Sequence, residues 1–151
     1  MAKKLFGTDG IRGTAGKPPL DSRTVTALGI ALAEDLEKRG AARQPVLIGM
    51  DTRESGSSIA AHLADGLRRG GVDAAFAGVL TTPGVAYLTR TGDYSAGVMI
   101  SASHNPFDDN GIKVFARTGF KLPDADEQEV EEAIFRLLPA IEKEPKAAAL
   151  A

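Results

Sequence analysis

Residues 96–113 read AGVMISASHNPFDDNGIK, an apolar run that passes directly into a dense polar segment. The apolar part, residues 96–100, predicts a buried strand because it is short, continuous and bounded by polar residues. The polar part carries hydroxyl, imidazole, amide, carboxylate and ammonium groups. Since open α/β sheets bind ligands at the carboxyl ends of their strands, this loop is where we expect chemistry.

Upstream of this segment, helical and strand patterns alternate. The predicted elements are a helix capped by Asp21 or Ser22 and ending near Gly40, a strand at Val46–Met50, a helix from Ser57 or Ser58 to Gly70, a strand at Val72–Phe76, and a short helix bearing Val85 and Leu88. Alternation of this kind predicts a mostly parallel sheet covered by helices on both faces.

Downstream, Ile112–Phe115 alternates as a further strand, which we expect to pair like a hairpin with the strand before it. Asn110-Gly111 predicts a tight turn ahead of it. An acidic helix begins at Asp124 or Asp126 and ends near Pro139. The predicted fold class is therefore α/β, a three-layer α/β/α domain with a mixed, mostly parallel sheet over residues 1–141. Residues 142–151 are predicted to be a linker or tail without core residues.

Composition narrows the function classes. The 151 residues fit one domain, and 18 basic against 20 acidic residues give a net charge of -2. That small, mixed charge argues against nucleic acid or an anionic membrane as a partner. No cysteine is present, which excludes a thiolate nucleophile or cysteine metal site. Without a signal-like or membrane-length apolar run, we expect a cytoplasmic protein.

A glycine-rich segment near the amino terminus, FGTDGIRGTAG at residues 6–16, is a candidate phosphate loop. Its glycines allow backbone N–H groups to approach a ligand closely. The spacing matches neither G-x-G-x-x-G nor the Walker A pattern, so the glycines alone are more typical of ordinary turns than of a phosphate loop. Arg12 favours an anion clamp, because guanidinium binds phosphate oxygens in a bidentate way.

The polar segment that follows Ile100 and carries Ser103, called the serine loop below, has two interpretations that spacing leaves open. Ser103 and His104 are adjacent and lack a G-x-S-x-G elbow, which argues against an acyl-transfer triad. Together with Asn105, Lys113 and Arg12, the serine suits a phosphoryl group, whose oxygens need cationic and amide donors. The alternative is an ordinary Ser/Asn-Pro turn.

For the other polar residues, a structural role is an alternative to a functional one. Lys113 is either a general acid or base, or a solvated strand lysine. The carboxylates of Asp108 and Asp109 are more typical of a turn than of a cation site. His62 is interpreted as structural. A polar loop with a helix cap accounts for Asp51, Arg53 and Ser55, although they follow a strand end and could line the same cleft.

Three segments resemble the α-D-phosphohexomutases: KLFGTDGIRG at 4–13, GMDTRESG at 49–56 and ISASHNPFDDNGIK at 100–113. They span most of the chain in the family's order and match its amino-terminal domain. The resemblance implies the phosphoglucomutase domain I fold. The Phe-Gly-Thr-Asp-Gly form of the first segment points to the branch that acts on glucosamine phosphates. A phosphomannomutase or phosphoglucomutase domain, and a non-catalytic sugar-phosphate-binding module, remain the alternatives.

For this family the resemblance implies that Ser103 is a phosphoserine that donates and recovers a phosphoryl group. Glucosamine 6-phosphate would interconvert with glucosamine 1-phosphate through a hexosamine 1,6-bisphosphate, supplying UDP-N-acetylglucosamine and hence cell-wall synthesis. Lys113 would be the general acid/base. The residues expected to support the transferring group, bind phosphate or shape the loop are Arg12, His104, Gly10, Asn105 and Asn110. Ser101 matches a second family serine to which we assign no role.

The resemblance also implies partners that this chain lacks. Mg²⁺ would be held by a phosphoserine oxygen of Ser103 and by an Asp-x-Asp-x-Asp loop, which does not occur here. Family members place four domains around one cleft, so the chain resembles one quarter of an enzyme, an excised fragment whose missing parts we expect carboxyl-terminal. We expect it to be inactive alone, and the oligomeric state stays open.

Overall fold

A computed structural model of the protein describes residues 3–148. Its five strands are β1 (Ile11–Thr14), β2 (Val46–Met50), β3 (Ala74–Val79), β4 (Ala96–Ile100) and β5 (Asp109–Ala116). Its helices are α1 (Ser22–Lys38), α2 (Gly56–Arg69), α3 (Thr82–Thr91) and α4 (Asp124–Leu137), the last followed by a 3₁₀ turn at Leu138–Ala140.

The strands form one sheet in the order β1-β5-β4-β2-β3. Strand β2 is parallel to both β3 and β4, whereas β5 is antiparallel to both β4 and β1. Within residues 3–148, β5 is thus the one strand that runs against the others. The predicted mixed, mostly parallel sheet is confirmed, including the hairpin-like pairing of β4 with β5.

Helices cover both faces, so the three-layer prediction is also confirmed. The larger core lies under α1, α2 and α4 and includes Val98 and Ile100 of β4. A smaller core of Val85, Met99 and Phe115 lies under α3 on the opposite face. The alternation of β4 side chains between the two cores follows from the period of two in a strand.

Helices α1 and α2 approach each other closely through two glycines. A Cβ on Gly29 would lie 2.5 Å from the carbonyl oxygen of Leu63, and one on Gly66 would lie 2.2 Å from that of Thr26. Neither distance is compatible with a side chain, so the helix pair depends on both glycines. At the start of α1, Asp21 accepts a hydrogen bond from the Thr24 N–H at 3.3 Å, as the capping prediction required.

The sequence predictions are wrong at several element boundaries. Residues 11–14 of the predicted glycine-rich loop form strand β1, and β5 begins at Asp109, so Asn110-Gly111 lies inside a strand and forms no tight turn. Strand β3 begins two residues later than predicted and continues to Val79, and α2 begins at Gly56. In β1 and β5 the two segments pair with each other, and that pairing overrides the local turn propensity.

The chain ahead of β1 is fixed to α4 by two buried carboxylates. Glu131 accepts hydrogen bonds from the backbone N–H groups of residues 4–6, at 2.7, 2.5 and 2.9 Å. Glu127 is bonded by the ammonium groups of Lys3 at 2.6 Å and Lys121 at 2.9 Å. The hydrogen bond to Glu127 is the main cause of a raised pKa for Lys3. These contacts set the direction in which the chain enters the loop that precedes β1.

The segment predicted to be a linker contacts the domain. Glu142 accepts a hydrogen bond from Arg69 at 2.5 Å, and Pro145 is buried. The assignment of residues 142–151 to a linker or tail stays a prediction. Residues 149–151 of that predicted tail lie outside the described residues. Across residues 3–148, no helix combines the length and the apolar character needed to cross a bilayer.

Candidate active site

Ser103 lies in the loop that joins the carboxyl end of β4 to β5, and it is exposed. Its φ angle is +55°, the one positive value found at a non-glycine position within residues 3–148. A non-glycine residue in this conformation costs about 1–3 kcal/mol and persists only where surrounding contacts impose it. The geometry of the site therefore depends on the contacts that hold Ser103 in this conformation.

The backbone N–H of Ser103 is held by two successive hydrogen bonds that lead to Asp51, the residue after β2. The Ser103 N–H donates to the hydroxyl of Ser101 at 3.1 Å, and that hydroxyl donates to Oδ2 of Asp51 at 2.6 Å. Asp51 directly follows β2, the neighbour of β4 in the sheet. The geometry thus assigns Ser101, which carried no predicted role, to the support of the Ser103 backbone.

A second contact comes from Arg53, whose side chain is only 11% exposed. Its guanidinium donates to four backbone carbonyl oxygens of the serine loop: those of Pro106 at 2.6 Å and of Asp109, Ser103 and Asn105, each at 3.0 Å. Its Nε donates to Oδ2 of Asp51 at 3.3 Å. Arg53 therefore holds the loop from the side of β2.

Arg12 reaches the serine from the other side of the loop. It lies on β1 opposite Gly111 of β5. A side chain at residue 111 would crowd Arg12, because a Cβ there would lie 3.1 Å from the Arg12 Cγ. Its Nη2 is 3.4 Å from the Ser103 Oγ, and its Nη1 is 3.5 Å from Oδ1 of Asn105. Both distances are long for hydrogen bonds, and Nε is buried without a partner in the described part of the chain. The guanidinium thus retains capacity for a further acceptor.

Lys113 follows Gly111 by two residues on β5 and so lies on the same face of the sheet as Arg12. Its Nζ is 4.0 Å from Oδ1 of Asp9, and its side chain is 28% exposed. Asp9 is presented by a loop closed by a hydrogen bond from the Gly7 N–H to the Gly10 carbonyl. The structure therefore brings Lys113, Arg12 and the glycine-rich loop to one face, beside the serine loop.

The remaining predicted residues differ in their surroundings. His104 is exposed, and no hydrogen bond to it is present within residues 3–148. Asn105 donates to Asp109 at 3.3 Å. Asn110 is fully buried and donates to the Ser55 hydroxyl at 2.8 Å, so its observed contacts shape the loop from inside. Contacts of these residues with a phosphate stay predictions.

An open cleft of about 530 Å³ adjoins the serine loop. It is lined by Asp51, Thr52, Arg53, Glu54, Ser103, Asn105 and Phe107. Within the described range, no cluster of three or more His, Asp or Glu side chains could hold a metal ion. The lining of this cleft includes the carboxylates of Asp51 and Glu54 and does not include Arg12 or Lys113.

The interpretation of Asp51, Arg53 and Ser55 as a polar loop with a helix cap underestimated them. Ser55 makes no capping hydrogen bond with its side chain and instead accepts one from Asn110. The available signal was their position after β2, because parallel strands β2 and β4 bring their carboxyl ends to the same edge of the sheet. His62 lies outside the site, and its Nδ1 is buried without a partner in the described part of the chain.

Comparison with known proteins agrees with the three-layer fold. The family model described as phosphoglucomutase/phosphomannomutase, alpha/beta/alpha domain I, matches residues 3–139. The phosphoglucosamine mutase of Solibacter usitatus is 62% identical over 140 residues, which cover 93% of this chain and 31% of that enzyme. The phosphoglucosamine mutase of Koribacter versatilis is 57% identical over 142 residues, covering 93% and 30%.

A solved structure shows the same fold. A phosphoglucomutase/phosphomannomutase family protein from Burkholderia thailandensis superposes with a TM-score of 0.77 at 26% identity, covering 95% of this chain and 32% of that protein. The chain therefore spans about a third of the length of the proteins that it matches.

Proposed function

This chain belongs to the phosphoglucomutase/phosphomannomutase family as its alpha/beta/alpha domain I, and on that premise we propose that it is the phosphoserine domain of a phosphoglucosamine mutase. The enzyme would interconvert glucosamine 6-phosphate and glucosamine 1-phosphate. The identity of 62% and 57% to proteins of that name supports glucosamine phosphate over mannose or glucose phosphate as substrate.

The observation that carries the proposal is the placement of the Arg12 Nη2 3.4 Å from the Ser103 Oγ. A phosphoryl group on this oxygen carries close to two negative charges and three acceptor oxygens. The Arg12 guanidinium, with a buried Nε that lacks a partner within residues 3–148, can bind such oxygens. We assign His104 and Asn105, which follow Ser103 in the chain, to the support of the phosphoryl group.

In the first half of the reaction, the bond from phosphorus to the Ser103 Oγ breaks as a bond forms to a hydroxyl oxygen of the sugar phosphate. The hydroxyl proton leaves and Oγ gains a proton, and Lys113 is the group that we assign to both transfers. The product of this half is a hexosamine 1,6-bisphosphate. In the second half the bisphosphate turns, its other phosphoryl group returns to Oγ, and the protons move in the opposite direction.

The proposal includes Mg²⁺, which would polarise a phosphoryl oxygen as a Lewis acid. The described residues offer it one ligand, an oxygen of phosphorylated Ser103, and no cluster of acidic or imidazole side chains completes the set. The observed residues therefore do not form a magnesium site by themselves, and no step above depends on the ion. The remaining ligands, and most contacts to the sugar, would come from the remaining three domains of a full-length enzyme.

The biological setting proposed for this reaction is the cytoplasm, where glucosamine 1-phosphate would enter UDP-N-acetylglucosamine and cell-wall precursor synthesis. The reaction requires a small sugar phosphate as partner and neither a nucleic acid nor a membrane. The short chain of hydrogen bonds from Ser103 to Asp51 and the cationic Arg12 suit a covalent phosphoryl carrier better than a module that only binds sugar phosphate.

A chimera tests this proposal. The matched 140 residues of the Solibacter usitatus enzyme would be replaced by the corresponding residues of this chain, and turnover of glucosamine 1-phosphate would be measured. We expect activity close to that of the parent enzyme, and phosphopeptide mapping should place phosphate on Ser103. Ser103→Ala should reduce kcat by about 10³-fold or more, because the nucleophile that accepts the phosphoryl group is removed.

Two results would count against the proposal. Full turnover by the Ser103→Ala chimera would show that this serine carries no phosphoryl group. A chimera that binds glucosamine phosphate but leaves Ser103 unmodified and shows no turnover would support the binding module instead.

A further inference from the structure

We propose that Arg53 is a positioning residue for phosphoryl transfer, which fixes the backbone of the serine loop and does not contact the phosphoryl group. The inference rests on the proposed function, in which Ser103 carries that group. In the sequence, only its position after a strand end distinguishes Arg53 from an ordinary arginine of a polar loop. The structure shows what its guanidinium contacts.

The first argument is that every donor of this guanidinium is already in use. An arginine side chain has five N–H donors in a rigid planar fork. In Arg53, Nη1 donates to two carbonyls, Nη2 donates to two more, and Nε donates to Asp51. No donor is left for a ligand, so binding a phosphate through Arg53 would require the loop to be released.

Arg12 shows the opposite pattern, and the two arginines therefore divide the work. The two hydrogen bonds that Arg12 makes within residues 3–148 are 3.4 and 3.5 Å long. Its Nε has no partner there. Arg12 faces the Ser103 hydroxyl, whereas Arg53 bonds the Ser103 carbonyl oxygen at 3.0 Å. One guanidinium is available to the ligand, and the other holds the chain that presents the nucleophile.

The second argument is the strain at Ser103. Its φ of +55° is unfavourable for a residue with a side chain, so the native contacts must hold it there. Two contacts act on the backbone of Ser103, the hydrogen bond from its N–H to Ser101 and the hydrogen bond from Arg53 to its carbonyl oxygen. Asp51 connects them, because its Oδ2 accepts from both Ser101 and Arg53. Loss of Arg53 should therefore free the Ser103 conformation without removing any group that contacts the substrate.

Lysine cannot replace this arginine. An ammonium group has three donors and no planar fork, so it can keep the charge but not the set of four carbonyl bonds. Arg53→Lys is therefore a substitution that separates geometry from charge. The chain offers a matched control in Arg23, whose guanidinium bonds the backbone carbonyls of Ile141 at 3.0 Å and Leu138 at 2.5 Å, away from the serine loop.

The test is amide hydrogen exchange of the chain, read in the peptide that covers residues 101–110. For Arg53→Lys we expect exchange in this peptide to be about tenfold faster or more, because four hydrogen bonds to loop carbonyls are lost. Exchange in α1 and β2 should stay as in the wild type. Arg23→Lys should leave the 101–110 peptide unchanged. Equal exchange in this peptide for the wild type and Arg53→Lys would overturn the inference.

A kinetic measurement follows in the chimera. Arg53→Lys should reduce kcat about 100-fold, the order expected when a reacting group is misplaced by about 1 Å, while KM changes by less than about threefold. A raised KM with unchanged kcat would show that Arg53 binds substrate, and would overturn the positioning role. Arg23→Lys should match the unmodified chimera in both constants.

A milder variant covers the case in which Arg53→Lys unfolds the chain. Asp51→Asn keeps the four carbonyl bonds and weakens the hydrogen bonds that Oδ2 accepts from Arg53 Nε and from the Ser101 hydroxyl, so loop exchange should rise less than in Arg53→Lys. Unchanged exchange would contradict the inference. Because the exchange result does not depend on turnover, an inactive unmodified chimera would reject the proposed function while leaving the role of Arg53 decided by exchange.

Discussion

Ser103 combines an exposed side chain with a left-handed backbone, and the two properties can be separated by substitution. Ser103→Ala removes the hydroxyl and keeps the strain, whereas Ser103→Gly removes both. We expect the glycine variant to exceed the alanine variant by about 1 kcal/mol in free energy of unfolding, since glycine adopts positive φ without steric cost. Chemical denaturation of both variants measures the difference.

A higher or equal stability of Ser103→Ala would contradict this expectation. It would mean that the contacts from Ser101 and Arg53 do not impose a strained backbone on Ser103. Both variants lack the hydroxyl, so neither should accept a phosphoryl group at residue 103. The comparison therefore isolates the backbone contribution from the chemistry of the side chain.

The sequence predicts Ser103, Arg12 and Lys113 as site residues, and the structure places an Arg12 nitrogen 3.4 Å from the Ser103 hydroxyl. Their roles in phosphoryl transfer stay predictions. Arg53 was missed because four of its five acceptors are backbone carbonyl oxygens. Every residue has such an oxygen, so no pattern of residue types indicates where four of them converge.

At the scale of elements, helix α1 and strands β2 and β4 were predicted close to their observed bounds, because one hydrophobic period or run defines each of them. Strand β1 and the first part of β5 were not. Their residues pair across the chain, Arg12 with Gly111 and Gly13 with Asn110. Segments rich in glycine and asparagine locally favour turns, and only the distant partner makes them strands.

The loop that precedes β1 depends on close contact between Gly10 and β5. Gly10 has a φ of +88°, and a Cβ there would lie 2.3 Å from the carbonyl oxygen of Ile112. Gly16 has a similar φ of +86°, but no atom lies within 4 Å of its Cβ position. Gly16→Ala therefore measures the cost of the backbone conformation alone, and Gly10→Ala measures that cost together with the steric conflict.

We expect Gly16→Ala to lower the free energy of unfolding by about 1 kcal/mol and Gly10→Ala to lower it by about 3 kcal/mol or more. Thermal or chemical denaturation of the two variants gives the difference. Similar losses would show that the loop can move away from β5 at little cost. In that case Asp9 would not be held near Lys113 by the fit of Gly10.

At the scale of the whole molecule, ion pairs join the amino-terminal segment and the segment after α4 to the rest of the domain. Lys3 contacts Asp124 and Glu127 on α4, and Glu142 contacts Arg69 on α2. The hydrogen bond from Lys3 is the main cause of a lowered pKa for Asp124, and the hydrogen bond from Arg69 is the main cause for Glu142. Stability should therefore depend on pH at both extremes.

The sign differs between the two ends of the pH range. Asp124 and Glu142 have pKa values below their ordinary values of 3.8 and 4.5, so their contribution is present above those values and is lost as pH falls through the lowered pKa. The pKa of Lys3 is raised above 10.5, so its contribution is present below 10.5 and is lost as pH rises through the raised pKa. In a variant without the Lys3 ammonium, the free energy of unfolding should change less with pH at both ends of the range.

Lys3→Gln tests this coupling, with Lys17→Gln as a control at an exposed position. The difference in free energy of unfolding between the wild type and Lys3→Gln should be largest near neutral pH. It should shrink as Asp124 becomes protonated in acid and as Lys3 loses its proton in strong base. About 1 M salt should reduce the part due to exposed Asp124 more than the part due to buried Glu127, because screening acts mainly on exposed charges. A difference that stays constant with pH would show that Lys3 stabilises the amino-terminal segment by packing of its side chain and not by charge.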